Sequence, residues 1–184
     1  VGSDYVLLPF KGFYYQLSKK SNLSFNGLIY PVPDLNVPFL GVHSVKLVNG
    51  DVYFGPTAVP AFGREHYHGV KGVNFSDASS IIYHLFRQYL GNKQEFRAFT
   101  HQETNKFIKK NFLASAKRLI PRLTNDSLVK SDKVGIRAQL LNKKSSELVM
   151  DFIIERRGNT THVLNAVSPA FTSAFSFAKY ILNT

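Results

Sequence analysis

The sequence predicts an α+β domain: a mostly antiparallel mixed sheet with a helical insertion and a C-terminal helix. Three observations carry that expectation. Apolar patterning runs strands, then helices, then strands, then one helix, rather than the strand–helix alternation of a doubly wound sheet. Asn49-Gly50 stands between the apolar stretches Val45–Val48 and Asp51–Phe54, a hairpin signal because the dipeptide supplies two positive-φ residues. From Ser76 the spacing of apolar residues lengthens from strand-like to helical.

Element by element, Tyr5–Phe10, Phe13–Leu17, Gly27–Tyr30 and Phe39–Val42 are apolar or aromatic runs separated by Gly and Pro, and read as strands. Pro31, Pro33 and Pro38 lack backbone donors, so residues 31–38 read as a fixed loop at an edge or mouth. Ser76 or Asp77 can cap a helix bearing Ile81, Ile82, Leu85, Phe86, Tyr89 and Leu90, ended by Gly91. Thr104–Leu119 reads as a second helix, with Phe107, Ile108, Phe112, Leu113 and Ala116 on one side and Pro121 closing it. After a polar connection at Thr124–Lys133, strands are expected at Val134–Leu141, Leu148–Ile154 and Thr161–Ala166. Ser168-Pro169 then offers an N-cap and first residue for a helix running through Ala170–Leu182.

The chain has 184 residues, 44% of them hydrophobic, with 16 Phe and 9 Tyr to fill a core, so disorder is excluded. It has no Cys, which removes disulfide scaffolds, thiol catalysis and cysteine-ligated metals together. Nothing approaches the length of a membrane-spanning helix. The formal charge is +11, of which residues 76–122 contribute +6 through nine basic and three acidic residues. There is no P-loop, nucleophile elbow or glycine-rich dinucleotide fingerprint. His66 and His68, beside Glu65 in a glycine-flanked loop, read as solvated loop histidines in preference to a metal site, and no metal is expected.

Arg137 lies within an apolar strand, Gly135-Ile136-Arg137-Ala138-Gln139, where an unpaired charge is costly. It therefore needs either a buried salt bridge, to Asp151 or Glu155, or an anionic ligand. The segment ending in Ser168-Pro169-Ala170 offers amide N–H groups at the positive end of a helix dipole, which suits an anion or an ordinary cap.

Six blocks in order, among them Pro9–Tyr15, Leu28–Asp34, Pro38–His43, Gly55–Val59, Gly135–Gln139 and Asn165–Ser173, resemble the L-2-hydroxyglutarate oxidase/dehydrogenase family. These are flavoproteins of the glycine oxidase/D-amino-acid oxidase superfamily, and the resemblance covers nearly the whole chain. It implies an FAD-dependent oxidation of a 2-hydroxy acid, L-2-hydroxyglutarate to 2-oxoglutarate. Arg137 would clamp a substrate carboxylate. His43 would take the hydroxyl proton, with Tyr30 also at the substrate. Lys11 or Arg64 would meet a second carboxylate of a dicarboxylate substrate. Ser168, Pro169, Ala170, Thr172 and Ser173 would contact the flavin. The chain departs from the family pattern at Thr57, where an Asn is common, at Phe13, where an acidic residue is common, and at Val167.

The resemblance also implies organisation. Residues 1–166 would form a substrate-binding domain, with sheet at 5–58 and 134–166 and the helical insertion at 76–122. Residues 167–184 would form a flavin-contacting helix. The N-terminal FAD-binding domain would lie upstream of Val1, as the start at Val1-Gly2-Ser3 and the single Met150 also suggest, so the chain alone is expected to be inactive. Self-association through Tyr14, Tyr30 and a Phe39–Val42 edge is then expected. The competing reading is a basic module that binds nucleic acid or an anionic membrane, although no nucleic-acid motif accompanies the charge. The expected location is cytoplasmic, with the basic helices able to touch the inner membrane peripherally.

Overall fold

The computed structural model describes residues 2–34, 38–167 and 171–183. Its strands are β1 (Tyr5–Leu17), β2 (His43–Lys46), β3 (Val52–Gly55), β4 (Val59–Pro60), β5 (Leu128–Asn142), β6 (Glu147–Leu148), β7 (Ile153–Arg157) and β8 (Thr160–Asn165). Its α-helices are α1 (Phe75–Gly91), α2 (Phe96–Asn105), α3 (Lys109–Lys117) and α4 (Ala174–Asn183). One sheet runs β2-β3-β1-β5-β6 with β4 also on β1, and every pairing in it is antiparallel. β7 and β8 form a separate hairpin, so the expected single sheet over 134–166 divides in two.

Strand β1 organises the molecule because it changes the face it buries. Leu8 and Phe10 pack into a core with Ile81 of α1, Phe96 and Phe99 of α2, and Leu141 of β5. Tyr15, on the opposite face, packs with Phe54, Leu128 and, from α3, Phe112 and Ala116. The face that carries Phe10 is therefore released by the helices from Gly12 onward, and a cavity opens there. The expected break between Phe10 and Phe13 does not occur: Pro9 sits within β1, and its carbonyl accepts the Ala61 N–H.

The hairpin at Asn49-Gly50 is present, but its loop has three residues. Gly50 alone is left-handed (φ 86°), Leu47 N–H donates to Asp51 O, and Asn49 Oδ1 accepts from Asp51 N–H. The Asn side chain thus caps the turn instead of its backbone adopting positive φ. Residues 27–30 and 39–42 are not strands. Ile29 makes a single bridge to Ser44, while Phe39 and Val42 turn inward, so the expected 39–42 edge does not exist.

Helix α1 is capped by Asn74, whose Oδ1 accepts from Ser76 and Asp77 N–H, two to three residues earlier than expected. Ile81 is buried, but Ile82, Phe86 and Leu90 are exposed. The expected helix over 104–119 is two helices. At the break, Lys106, Phe107 and Ile108 N–H bond three residues back, the Lys106 ammonium turns inward onto Glu103, and Asn111 Nδ2 takes the Asn105 carbonyl. Strand β5 absorbs most of the expected polar connection. The last helix begins at Ala174, with Ser173 O accepting from Phe177 N–H; the Ser168-Pro169 cap lies outside the described residues.

Candidate active site

Gly12 and Gly135 face each other across β1 and β5, and around them a cavity of about 420 Å³ is lined by Phe10, Tyr14, Tyr30, Phe39, His43, Thr57 and Arg137. The two glycines have different reasons. A Cβ on Gly12 would lie 2.3 Å from Pro56 Cβ and 2.6 Å from Thr57 O, so only Gly lets residues 56–57 seat against β1. A Cβ on Gly135 would meet nothing within 4 Å, so its absence leaves the cavity floor as bare backbone. Thr57 is buried, with Oγ1 accepting from Phe13 N–H at 3.2 Å, and this hydroxyl holds the wall in place.

His43 begins β2, opposite Gly55. Its Nδ1 lies 2.9 Å from Gly41 O, and a carbonyl can only accept, so the proton sits on Nδ1 and Nε2 carries the lone pair. The Tyr30 ring stacks on the imidazole with centroids 4.5 Å apart and 27° between planes. Burial pushes the His43 imidazole below its ordinary value, opposed by the Gly41 contact, so the neutral base is favoured. Burial, and then the nearby Tyr30, push the Tyr14 phenol up, so Tyr14 stays a hydrogen-bond donor.

Arg137, opposite Phe10 on β5, is half-buried and lies over the Phe39 ring at 5.3 Å from its centroid. Burial alone lowers its guanidinium, which is still cationic at any working pH. Neither expected salt-bridge partner is there: Asp151 Oδ1 accepts from Phe152 N–H, and Glu155 pairs with Arg157. Arg137 is therefore a partly desolvated cation that meets no carboxylate among the described residues, an environment in which binding an anion is favourable.

The structure brings His43, Tyr30 and Arg137 together, and it places Lys11 and Arg64 elsewhere. Lys11 points to the other face of β1, 3.3 Å from His66 Nε2. Arg64 lines a small cavity with Asp77 and Ser80. His66 is buried rather than solvated: Nδ1 accepts from Phe62 N–H, and Nε2 donates to Gly69 O at 2.6 Å. The loop can close this tightly because Gly63 and Gly72 touch, with a Cβ on Gly63 falling 2.2 Å from Gly72 O. Among the described residues no three His, Asp or Glu gather to hold a metal, and no helix is long and apolar enough to cross a membrane. Ser173 lines a different cavity, between β7 and α4, with Arg156 and Tyr180; Ser168, Pro169 and Ala170 lie outside the described residues. Sequence reasoning assigned Tyr14 and Phe39 to self-association rather than to the cavity, and missed the glycine pair. The alternation Phe10, Gly12, Tyr14 along one strand face was the signal that could have placed Gly12 and Tyr14 there.

One sheet face thus presents, in a single cavity, a half-buried histidine with its Nε2 lone pair free and an arginine that meets no carboxylate among the described residues. Comparison with known families supplies the class: the model of the DAO family, FAD dependent oxidoreductase, matches residues 1–183, and the chain belongs to that family. It is 39% identical over 173 residues to L-2-hydroxyglutarate dehydrogenase of Indibacter alkaliphilus, covering 94% of this chain and 42% of that protein. It is 35% identical over 180 residues to the Escherichia coli K12 protein of the same name, covering 97% of this chain and 42% of that one. With the mitochondrial L-2-hydroxyglutarate dehydrogenase of Nematostella vectensis it shares 36% identity over 184 residues, 95% of this chain and 39% of that protein. The chain thus spans about two-fifths of the length of these relatives.

Proposed function

We propose that this chain supplies the substrate-binding part of an FAD-dependent dehydrogenase that oxidises L-2-hydroxyglutarate to 2-oxoglutarate. The observation that carries the reading is one cavity holding the Nε2 of a neutral His43 and an Arg137 that no carboxylate of the fold satisfies. The relatives' names supply the particular acid, and their family supplies FAD. The cavity fits the reacting end of such a cofactor with its substrate, because the floor at Gly135 is open where a side chain would stand. The sequence holds no glycine-rich fingerprint for the dinucleotide's pyrophosphate. The stretch with Ser168, Pro169, Ala170, Thr172 and Ser173, leading into α4, is the part of the chain assigned to FAD on the family resemblance.

The chain's residues act as follows. Arg137 takes the C1 carboxylate in a two-pronged hydrogen bond and thereby fixes C2. His43 Nε2 accepts the proton of the C2 hydroxyl while the hydrogen on C2 leaves with its electron pair, so that the C–O bond becomes C=O. The Gly41 carbonyl holds the Nδ1–H and steadies the imidazolium as it forms, and Tyr30 keeps the ring in plane. Tyr14 and the Phe39 wall narrow the space left to water. Bound FAD would supply the two-electron acceptor. The test is 2-oxoglutarate formation from L-2-hydroxyglutarate by the FAD-loaded protein that carries this chain. Formation is expected, and a loaded protein that leaves this acid untouched while oxidising another substrate overturns the assignment.

A further inference from the structure

A five-carbon dicarboxylate needs a second cation, and the geometry disqualifies the obvious ones. Lys11 is on the wrong face beside His66, and Arg64 lies in another cavity. Lys106 is committed to Glu103 in a buried pair. Arg118 lines a separate cavity behind Phe39 and Leu40, which form the wall between that space and the site.

We propose that Lys133 binds the distal carboxylate of a 2-hydroxy dicarboxylate at the mouth of the cavity, and so selects dicarboxylates over monocarboxylates. The inference rests on the reading of the cavity as a 2-hydroxy-acid site. Its own support is structural. The β1–β5 register slips between Phe13 and Tyr15: Val134 faces Phe13, yet Lys130 rather than residue 132 faces Tyr15, so β5 bulges at residues 131–133. Lys133 N–H donates to Ser131 Oγ at 3.0 Å, which fixes the bulge. The bulge carries the Lys133 ammonium over two rings, 5.4 Å from the centroid of Tyr14 and 4.8 Å from that of Tyr53. Tyr14 lines the cavity, so the ring that holds the ammonium is also a wall of the site.

Lys133 has no carboxylate partner among the described residues, and it is exposed, so it is available to a ligand. Along β5, Arg137 and Lys133 are four residues apart, at most about 13 Å between Cα atoms. Gly135 stands between them opposite Gly12, so at that rung neither strand puts a side chain between the two cations. Four carbon–carbon bonds put the carboxyl carbons of an extended glutarate skeleton about 5 Å apart, a span that two long cationic side chains leaning over the glycine floor can close on. Arg137, half-buried, takes the carboxylate next to the reacting carbon; Lys133, at the rim, takes the one that keeps some of its water.

The test uses the FAD-loaded protein with Lys133→Met, which keeps an apolar stem over the two rings, and Lys133→Arg, which keeps the charge. KM for L-2-hydroxyglutarate should rise about tenfold or more in Lys133→Met with kcat within a factor of about three, and Lys133→Arg should restore most of it. KM for L-2-hydroxybutyrate, which has a hydrogen in place of the distal carboxylate group, should not move. Calorimetric titration with glutarate reads the same interaction without turnover and should weaken at least about tenfold in Lys133→Met, whereas butyrate should not. An equal KM change for both hydroxy acids, or none, overturns the proposal. Glutarate binding that depends on Lys133 in a protein that does not oxidise L-2-hydroxyglutarate would sink the proposed function and leave Lys133 in place; turnover indifferent to Lys133 would do the reverse.

Discussion

Replacing Arg137 by Met separates a substrate clamp from a structural ion pair, because only the second role predicts a large loss of stability. In the fold the guanidinium meets no carboxylate among the described residues, and its one marked contact is the Phe39 ring at 5.3 Å. Losing that contact costs about 0.5–1 kcal/mol, and relieving a desolvated charge offsets it, so unfolding free energy should stay within about 1 kcal/mol of the parent. Catalysis should collapse. Two charge-assisted hydrogen bonds at about 1.5–3 kcal/mol each, less than fully additive, give roughly 3–5 kcal/mol, or about two to four decades in kcat/KM. Arg137→Lys keeps the charge and loses the fork, and should fall about 10- to 100-fold. The assay is 2-oxoglutarate formation at matched FAD content, beside urea unfolding of each variant. A stability loss of about 3–5 kcal/mol in Arg137→Met is the signature of a broken buried pair and would refute the reasoning, as would a kcat/KM within about threefold of the parent.

The remaining expectations concern the base, the floor and the supports. Burial depresses the His43 imidazole, so kcat/KM should rise with pH through an apparent pKa below the ordinary value of about 6.5, and His43→Asn should lose both most of the turnover and that ionisation. The sign for stability follows: the folded state binds fewer protons, so this contribution is whole above about pH 6.5 and is lost as pH falls through that value toward the folded one. Melting of the parent against His43→Asn between pH 5 and 8 measures it. Gly12→Ala should cost soluble yield, since its Cβ has no room beside Pro56 and Thr57, whereas Gly135→Ala should fold normally and raise KM by filling the floor. Circular dichroism and Michaelis kinetics separate the two. Lys106→Met strands the buried Glu103 carboxylate, whose remaining partner is the Ala58 N–H, and should cost about 3–5 kcal/mol in urea unfolding with little change in kcat.

Much of the fold was legible because local rules and tertiary packing agreed. The two apolar runs that β1 joins, the hairpin position and the body of α1 lie where alternation, Asn-Gly and helical spacing put them. The failures have specific causes. In the runs 27–30 and 39–42, Tyr30, Phe39 and Leu40 line the cavity and Val42 enters the core, and a strand pattern cannot be told from a wall pattern when the runs are four residues long. The 104–119 periodicity hid a break made by side chains, with Lys106 turned onto Glu103 and Asn111 on the Asn105 carbonyl. Helix α1 looked amphipathic on one broad face, yet only Ile81 and its neighbours are covered, and Ile82, Phe86 and Leu90 remain exposed.

For the site, a single charged residue in an apolar strand was enough to mark Arg137, and residue resemblance marked His43 and Tyr30. Lys11 and Arg64 were marked by their blocks alone, and strand parity sends Lys11 to the other face: on β1 it alternates with Gly12. Lys133 escaped notice because its position depends on a bulge, a two-residue slip in register that no one-dimensional pattern records.

The most direct test of the central claim is a crystal structure of the FAD-loaded protein with 2-oxoglutarate bound. The account predicts the C1 carboxylate on the Arg137 guanidinium, the keto oxygen within hydrogen-bond reach of His43 Nε2, and the molecule lying over Gly135. Density for 2-oxoglutarate in the cavity between β7 and α4, or behind Phe39 beside Arg118, with Arg137 and His43 untouched, would contradict it.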